Sequence, residues 1–151
     1  MKKQQRLTRF QEISSALFIL LFLYTGITKL EDTRFFAGAM AHSPLIGRYA
    51  NFLSGFIPSM EIGICVLLFI PATRYLGLIL SALLMAVFTW YIGYMMITSS
   101  LLPCTCGGII QTLSWNQHLW FNSAFLLMGL ISILFNKRSI ATDRRSRTPA
   151  T

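Results

Sequence analysis

Four long apolar runs dominate the sequence. They cover residues 13–30, 51–70, 75–97 and 118–135. Each run approaches or reaches the ~20 residues that a helix needs to cross a bilayer. The chain is 54% hydrophobic and only 12% charged, and a soluble domain of this size has too little interior to bury so many apolar side chains. We therefore predict an all-α membrane protein, a bundle of four transmembrane helices.

Basic residues are concentrated at the two ends of the chain. Both tails carry several lysines or arginines, and Arg74 lies in the short turn between the second and third runs. The positive-inside rule therefore predicts both tails and Arg74 in the cytoplasm and residues 98–117 on the outer face of a bacterial inner membrane. We attribute the net charge of +8 to this topology and to contact with membrane lipids, and predict no nucleic-acid binding.

The chain divides into three segments by composition. We predict a basic cytoplasmic N-tail over residues 1–12, a membrane domain over 13–136 and a basic cytoplasmic C-tail over 137–151. No long repeat or low-complexity segment separates them, which is typical of one helical bundle.

The first outer loop contains the pattern of a short helix. Asp32 or Thr33 is a suitable N-cap, and Phe35, Phe36 and Met40 would lie on one side of the helix, at the membrane interface. We expect an interfacial connector, with a lid over the outer face as the alternative.

Two helix boundaries can be predicted from local patterns. The second run contains Pro58, and a helix that began there would be too short to span, so we expect one helix, kinked at Pro58, from about Arg48. Ser114 followed by Gln117 three residues later is a capping-box pattern, which predicts the start of the last helix.

Cys104 and Cys106 are separated by one residue in an outer loop without charged side chains. Such spacing allows Cα atoms at roughly 5.5–6.6 Å, which is compatible with a strained disulfide. Strained, exposed disulfides tend to be the labile or catalytic ones, and the outer face is the oxidising side. The pattern favours a redox pair, whereas Cys65, among Ile and Val, is typical of a packing residue.

Two other interpretations of the cysteine pair stay open. The pair can be a structural disulfide that holds the loop. It can also bind metal, because His118 and His42 would complete a set of four ligands with the two thiolates.

Glu61 is an acidic residue well inside an apolar run, and Lys29 at the outer end of the first run is its expected partner. Carboxylates inside a membrane are costly and usually pair with another polar group within the bundle. A structural ion pair and a proton site are both compatible with this pattern.

Aromatic residues flank the cysteine loop on both sides. A belt at the membrane interface explains them without any function. A quinone pocket is the alternative, and its candidate residues are Tyr91, Tyr94, Trp115 and His118.

Three motifs together resemble a known family. They are residues 25–30 (TGITKL), Pro58 followed by Glu61, and residues 103–108 (PCTCGG). The chain resembles the DoxX-like superfamily over residues 10–136, and within it the redox-associated MauE-like branch.

The resemblance implies a thiol-disulfide redox protein of the bacterial inner membrane, with Cys104 and Cys106 as redox residues. MauE-like proteins are associated with disulfide formation in periplasmic amine dehydrogenase subunits, and DoxX-like relatives include a subunit of a thiosulfate:quinone oxidoreductase. The expected partner is a periplasmic thiol/disulfide protein, and quinone is the possible final acceptor. The alternatives are a non-catalytic subunit of a larger membrane complex, with a structural cysteine pair, and a small transporter or metal-binding subunit that uses Glu61, His42 and His118.

Overall fold

A computed structural model describes the backbone of residues 2–98 and 114–147 and the side chains of residues 8–98, 114 and 116–135. The described part of the chain is helical and contains no strand. Its helices are α1 (Lys2–Glu31), α2 (Thr33–Ala41), α3 (Ala50–Phe69), α4 (Arg74–Thr98) and α5 (Trp115–Arg147), with a 3₁₀ turn at Gly47–Tyr49 before α3.

Four segments of these helices are long and apolar enough to cross a membrane: Thr8–Glu31, Gly47–Phe69, Arg74–Thr98 and Asn116–Phe135. Large apolar side chains stay exposed on their outer faces, for example Leu20, Phe69 and Leu127. Lipid is the solvent that covers such a surface without cost. The prediction of an all-α bundle with four transmembrane helices is confirmed.

The helices pack so that α1 contacts α3 and α5, and α4 contacts α3 and α5. We call the end of the bundle that holds the C-terminus of α1, helix α2, and the Thr98 and Trp115 ends of α4 and α5 the loop end. At the opposite end, the turn from α3 to α4 is tied by Thr73, whose hydroxyl donates to the Leu67 carbonyl over 2.9 Å. This bond satisfies one of the last carbonyls of α3, which have no partner within the helix.

Helix α3 continues through Pro58, as predicted, and begins at Ala50 after the 3₁₀ turn. Pro58 is fully buried. One continuous helix here carries Glu61 into the middle of the bundle.

Helix α2 begins where the sequence predicts it. The Asp32 carboxylate accepts a hydrogen bond of 3.0 Å from the backbone N–H of Phe35. Phe36 and Met40 are buried, but the Phe35 side chain is exposed, so the prediction that all three share one side was wrong. Residues i and i+4 of a helix share a face, whereas its immediate neighbour points elsewhere.

Candidate functional site

Lys29 and Glu61 form an ion pair inside the bundle. Lys29 belongs to the last turn of α1, and its ammonium donates a hydrogen bond to Oε1 of Glu61 on α3. Only 5% of the Lys29 side chain and 1% of the Glu61 side chain are exposed. The pairing expected from the sequence is present, and it neutralises two charges that would be costly alone in the membrane.

Two aromatic rings complete the surroundings of the Lys29 ammonium. Its nitrogen lies 5.5 Å from the ring centroid of Phe36 on α2 and 5.1 Å from that of Phe88 on α4. Both distances lie within the range of cation–π attraction. Groups on three other elements, α2, α3 and α4, therefore hold this ammonium in place.

The second carboxylate oxygen of Glu61, Oε2, differs from Oε1 in its hydrogen bonding. The Thr25 side chain on α1 is close enough to interact with this carboxylate, but Oε2 accepts no hydrogen bond of good geometry from the described residues. Gly26 on α1 lies beside it, since a Cβ at that position would be 3.4 Å from Oε2. Buried polar atoms are almost always hydrogen-bonded because an unmade bond is expensive. This oxygen therefore marks a place where a donor group would be stabilised.

The ion pair lies in the wall of a cavity of about 720 Å³. Such a volume falls within the roughly 300–1,000 Å³ of small-molecule sites. Most of the lining is apolar, and it includes side chains of α1, α2, α3, α4 and α5. A large apolar cavity with a few polar groups is the usual form of a binding site for a small organic molecule.

Helix α5 contributes two polar side chains to this cavity, His118 and Asn122, and both are buried. They stand one turn apart and so share a face of the helix. The start of the helix fixes their position. The Ser114 N–H donates to Gln117 Oε1 over 2.8 Å, and the Gln117 N–H donates to Ser114 Oγ over 3.4 Å. The predicted capping box is confirmed.

The predicted quinone residues are only partly brought together. Tyr91 and His118 line the cavity. Tyr94 instead stacks on Trp90 with 5.8 Å between ring centroids. The side chain of Trp115 lies outside the described residues.

Phe88 and Asn122 are among the lining residues that sequence reasoning missed. A usable signal existed, because Phe88 precedes Tyr91 by three positions and Asn122 follows His118 by four. Residues at these spacings lie on one face of a helix.

Cys104 and Cys106 lie outside the described residues, so their role stays a prediction. The chain leaves α4 at Thr98 and enters α5 at Trp115, both at the loop end. Cys65 is buried, and its thiol faces the Ile19 carbonyl at 3.7 Å. This location fits the expected packing role.

The described residues contain no group of three or more His, Cys, Asp or Glu side chains that could hold a metal ion. His42 is exposed, and its Nδ1 lies 2.8 Å from the Gly38 carbonyl on its own helix. His118 is buried in the cavity. The two cysteines of the predicted metal set lie outside the described residues.

The fold and the cavity together define a multi-pass membrane protein with an ion pair inside the bundle. Its residues 7–135 match the family model of methylamine utilisation protein MauE. The chain belongs to this family of membrane proteins. No curated protein matches the chain, and no solved structure matches it.

Proposed function

We propose that this protein is a thiol-disulfide redox protein of the bacterial inner membrane, with Cys104 and Cys106 as its redox pair. Its partner would be a periplasmic thiol protein, and quinone would be the final electron acceptor. Membership of the MauE family supports this proposal, and the family description makes a protein of methylamine utilisation the first partner to test.

The observation that carries the proposal is the position of the cavity relative to the cysteine connection. Met95 and His118 line the cavity, and each lies within one turn of a helix end that anchors the connection, Thr98 and Trp115 respectively. Both anchors of the cysteine segment are therefore at the end of the bundle where Met95 and His118 line the cavity. A redox pair held there would be close to a small-molecule site.

The chemical step is a dithiol–disulfide exchange. A thiolate of the partner attacks one sulfur of the Cys104–Cys106 disulfide, and a mixed disulfide forms. The second thiolate of the partner then attacks its own bridged sulfur, so that the partner becomes the disulfide and this chain becomes the dithiol. Two electrons and two protons arrive on the chain. A quinone restores the disulfide when it takes up these two electrons and two protons and becomes a quinol.

Charge distribution supports the orientation that this step needs. The tails and Arg74 are basic, while the stretch that carries the cysteines has no charged residue. Under the positive-inside rule the cysteines then face the periplasm, where disulfides form and persist.

The test is to trap the mixed disulfide in cells. Cells that express Cys106→Ser are acid-quenched, alkylated with a heavy maleimide and analysed on a non-reducing gel. In this variant the exchange runs in reverse: the single thiolate of Cys104 attacks the disulfide of the oxidised partner, whose second sulfur leaves as a thiolate. We expect the resulting covalent adduct with a periplasmic protein, which reductant releases. In the wild type the thiol state of the pair should shift towards reduced when respiration is inhibited.

Cys65→Ser is the matched control, because Cys65 is buried among the helices and should leave the adduct unchanged. The double variant Cys104→Ser/Cys106→Ser should lose it. A pair that is fully oxidised under every condition, with no adduct in Cys106→Ser or in Cys104→Ser, would overturn the proposal. The cysteines would then be a structural staple in a subunit of a larger complex.

A further inference from the structure

The cavity is elongated along the bundle. Its lining on α4 extends from Leu80 to Met95, roughly 22 Å at 1.5 Å per residue. A site of this shape suits a molecule with a head group and a hydrocarbon tail rather than a compact polar solute.

The cavity also has an open side towards the bilayer. Phe56 and Met60 on α3 and Leu83 and Val87 on α4 line the cavity and are at the same time exposed on the surface of the bundle. Each pair is four residues apart, so each lies on one face of its helix. Together with Trp90, these four side chains are the exposed part of the lining on the two helices, and we call the surface that they border the portal. A molecule dissolved in the membrane can enter through it without crossing water.

The charge of the site restricts the head group. The Lys29 ammonium is already neutralised by Glu61, so the site offers no net positive charge to a phosphate or a carboxylate. Glu61 Oε2 is a buried acceptor without a hydrogen-bond partner among the described residues, and it would repel an anion. A neutral head group with a hydroxyl donor is the chemistry that satisfies this oxygen.

The lining favours a planar ring. Phe36 and Phe88 both lie close to the ion pair through their contacts with Lys29, and Tyr91 and Phe121 also line the cavity. Aromatic walls pack well against a flat ring through offset stacking and edge contacts. The ammonium retains N–H groups that can donate to a ring oxygen.

We infer that this cavity binds the head group of an isoprenoid quinol, which enters through the portal and donates one hydroxyl to Glu61 Oε2 beside Lys29. The choice of a quinol among neutral ring-bearing lipids rests on the proposed function, since it is the class that carries two electrons and two protons. The polar anchors are thus Lys29 and Glu61, neither of which is among the four quinone candidates predicted from the sequence, Tyr91, Tyr94, Trp115 and His118.

The test is equilibrium binding to the full chain in nanodiscs. The background is Cys104→Ser/Cys106→Ser, so that thiol chemistry cannot consume the ligand. The probes are a radiolabelled quinol with a ten-carbon tail and its dimethyl ether, which has the same ring and tail but no O–H donor. We expect the quinol to bind at least about tenfold more tightly, the difference that a hydrogen bond to a charged acceptor makes.

Two sets of variants separate the anchor from the portal. In Lys29→Met/Glu61→Met, which leaves no buried charge unpaired, the preference for the quinol over its ether should disappear. Leu83→Trp should weaken binding of both probes several-fold by narrowing the portal. Leu127→Trp is its control, because Leu127 is equally exposed to lipid, at 60% against 58%, but does not line the cavity.

Equal affinity for the quinol and its ether, or a preference that survives removal of Glu61, would overturn the inference, and the cavity would then be a space filled by acyl chains. If both probes bind Leu83→Trp as tightly as they bind the background chain, the ligand does not enter through the portal. This test leaves the ion pair intact. Failure here is distinct from failure of the proposed function, because the mixed-disulfide trap does not depend on ligand binding.

Discussion

The helices pack closely in one part of the bundle and enclose a cavity in the other. In the half away from the loop end, small residues bring helices together: a Cβ on Gly77 would lie 2.9 Å from Leu68 Cδ2, and one on Gly129 would lie 3.2 Å from Phe18 Cζ. From the middle of the bundle towards the loop end, the helices enclose a cavity of about 720 Å³ with a buried ion pair in its wall.

The comparison shows where the stability of the bundle resides. Lipid is as apolar as the helix surfaces, so helices associate in a membrane by close packing and by polar contacts. The packed half supplies close contact, and Phe18 in its core meets Phe125 edge-on at 5.5 Å between ring centroids. With the helices held at that end, the other half can leave space for a ligand, where the ion pair and helix α2 supply the contacts.

The largest effect on stability should come from the ion pair in the wall of the cavity. Lys29→Met leaves the Glu61 carboxylate buried without its cation, and we expect a loss of about 3–5 kcal/mol in the free energy of unfolding. A thermal melt in detergent measures it. The double variant Lys29→Met/Glu61→Met should regain most of the loss, because no unpaired charge remains. If Lys29→Met melts like the wild type, the ion pair does not stabilise the bundle.

A smaller effect should come from the packed half. Gly77→Ala places a Cβ 3.0 Å from the Leu68 backbone nitrogen, so α3 and α4 must separate, and overpacking of this kind typically costs about 1–3 kcal/mol. Gly93→Ala on the same helix is the control, since nothing lies within 4 Å of its new Cβ. Thermal melts of the two variants should therefore differ. Equal melting temperatures would show that the glycine contact is not what holds this half together.

The smallest effect on stability should come from helix α2, whose Phe36 and Met40 line the cavity. Asp32→Ala removes the cap of α2, whose Phe36 ring contacts Lys29, and the loss of an N-cap typically costs about 1 kcal/mol. Asp32→Asn keeps an oxygen acceptor at the cap and should melt close to the wild type. Accessibility of a cysteine introduced at Phe36 to maleimide should rise in the Ala variant alone. An equal rise in the Asn variant would assign the effect to the charge of Asp32 rather than to its cap.

Much of the fold follows from local pattern. The four apolar runs, the Asp32 cap and the Ser114–Gln117 capping box all depend on residues close together in the chain, and the structure contains each of them. The Lys29–Glu61 pair was also predictable from sequence, because Glu61 stands among apolar residues and an acid inside a membrane has few possible partners, one of which is Lys29 at the end of the first run.

The shape of the site was not predictable in this way. Phe35 and Phe36 are neighbours with similar side chains, but only Phe36 reaches Lys29. Phe88 and Asn122 are ordinary residues of apolar helices until α4 and α5 are placed around the cavity. Their roles depend on how each helix is rotated about its axis, and hydropathy alone does not fix that rotation when lipid covers the outer face of every helix.

The sequence by itself determined that this protein is a bundle of membrane-spanning helices, where several of those helices begin, and that one intramembrane acid needs a partner. Only the tertiary structure decided that the partner leaves one oxygen of Glu61 unsatisfied beside a cavity, and that exposed side chains of α3 and α4 line this cavity. The physical reason is the distance along the chain over which each feature is decided. Helix formation and capping are decided within a few residues, whereas a cavity is the space that remains after distant helices have packed.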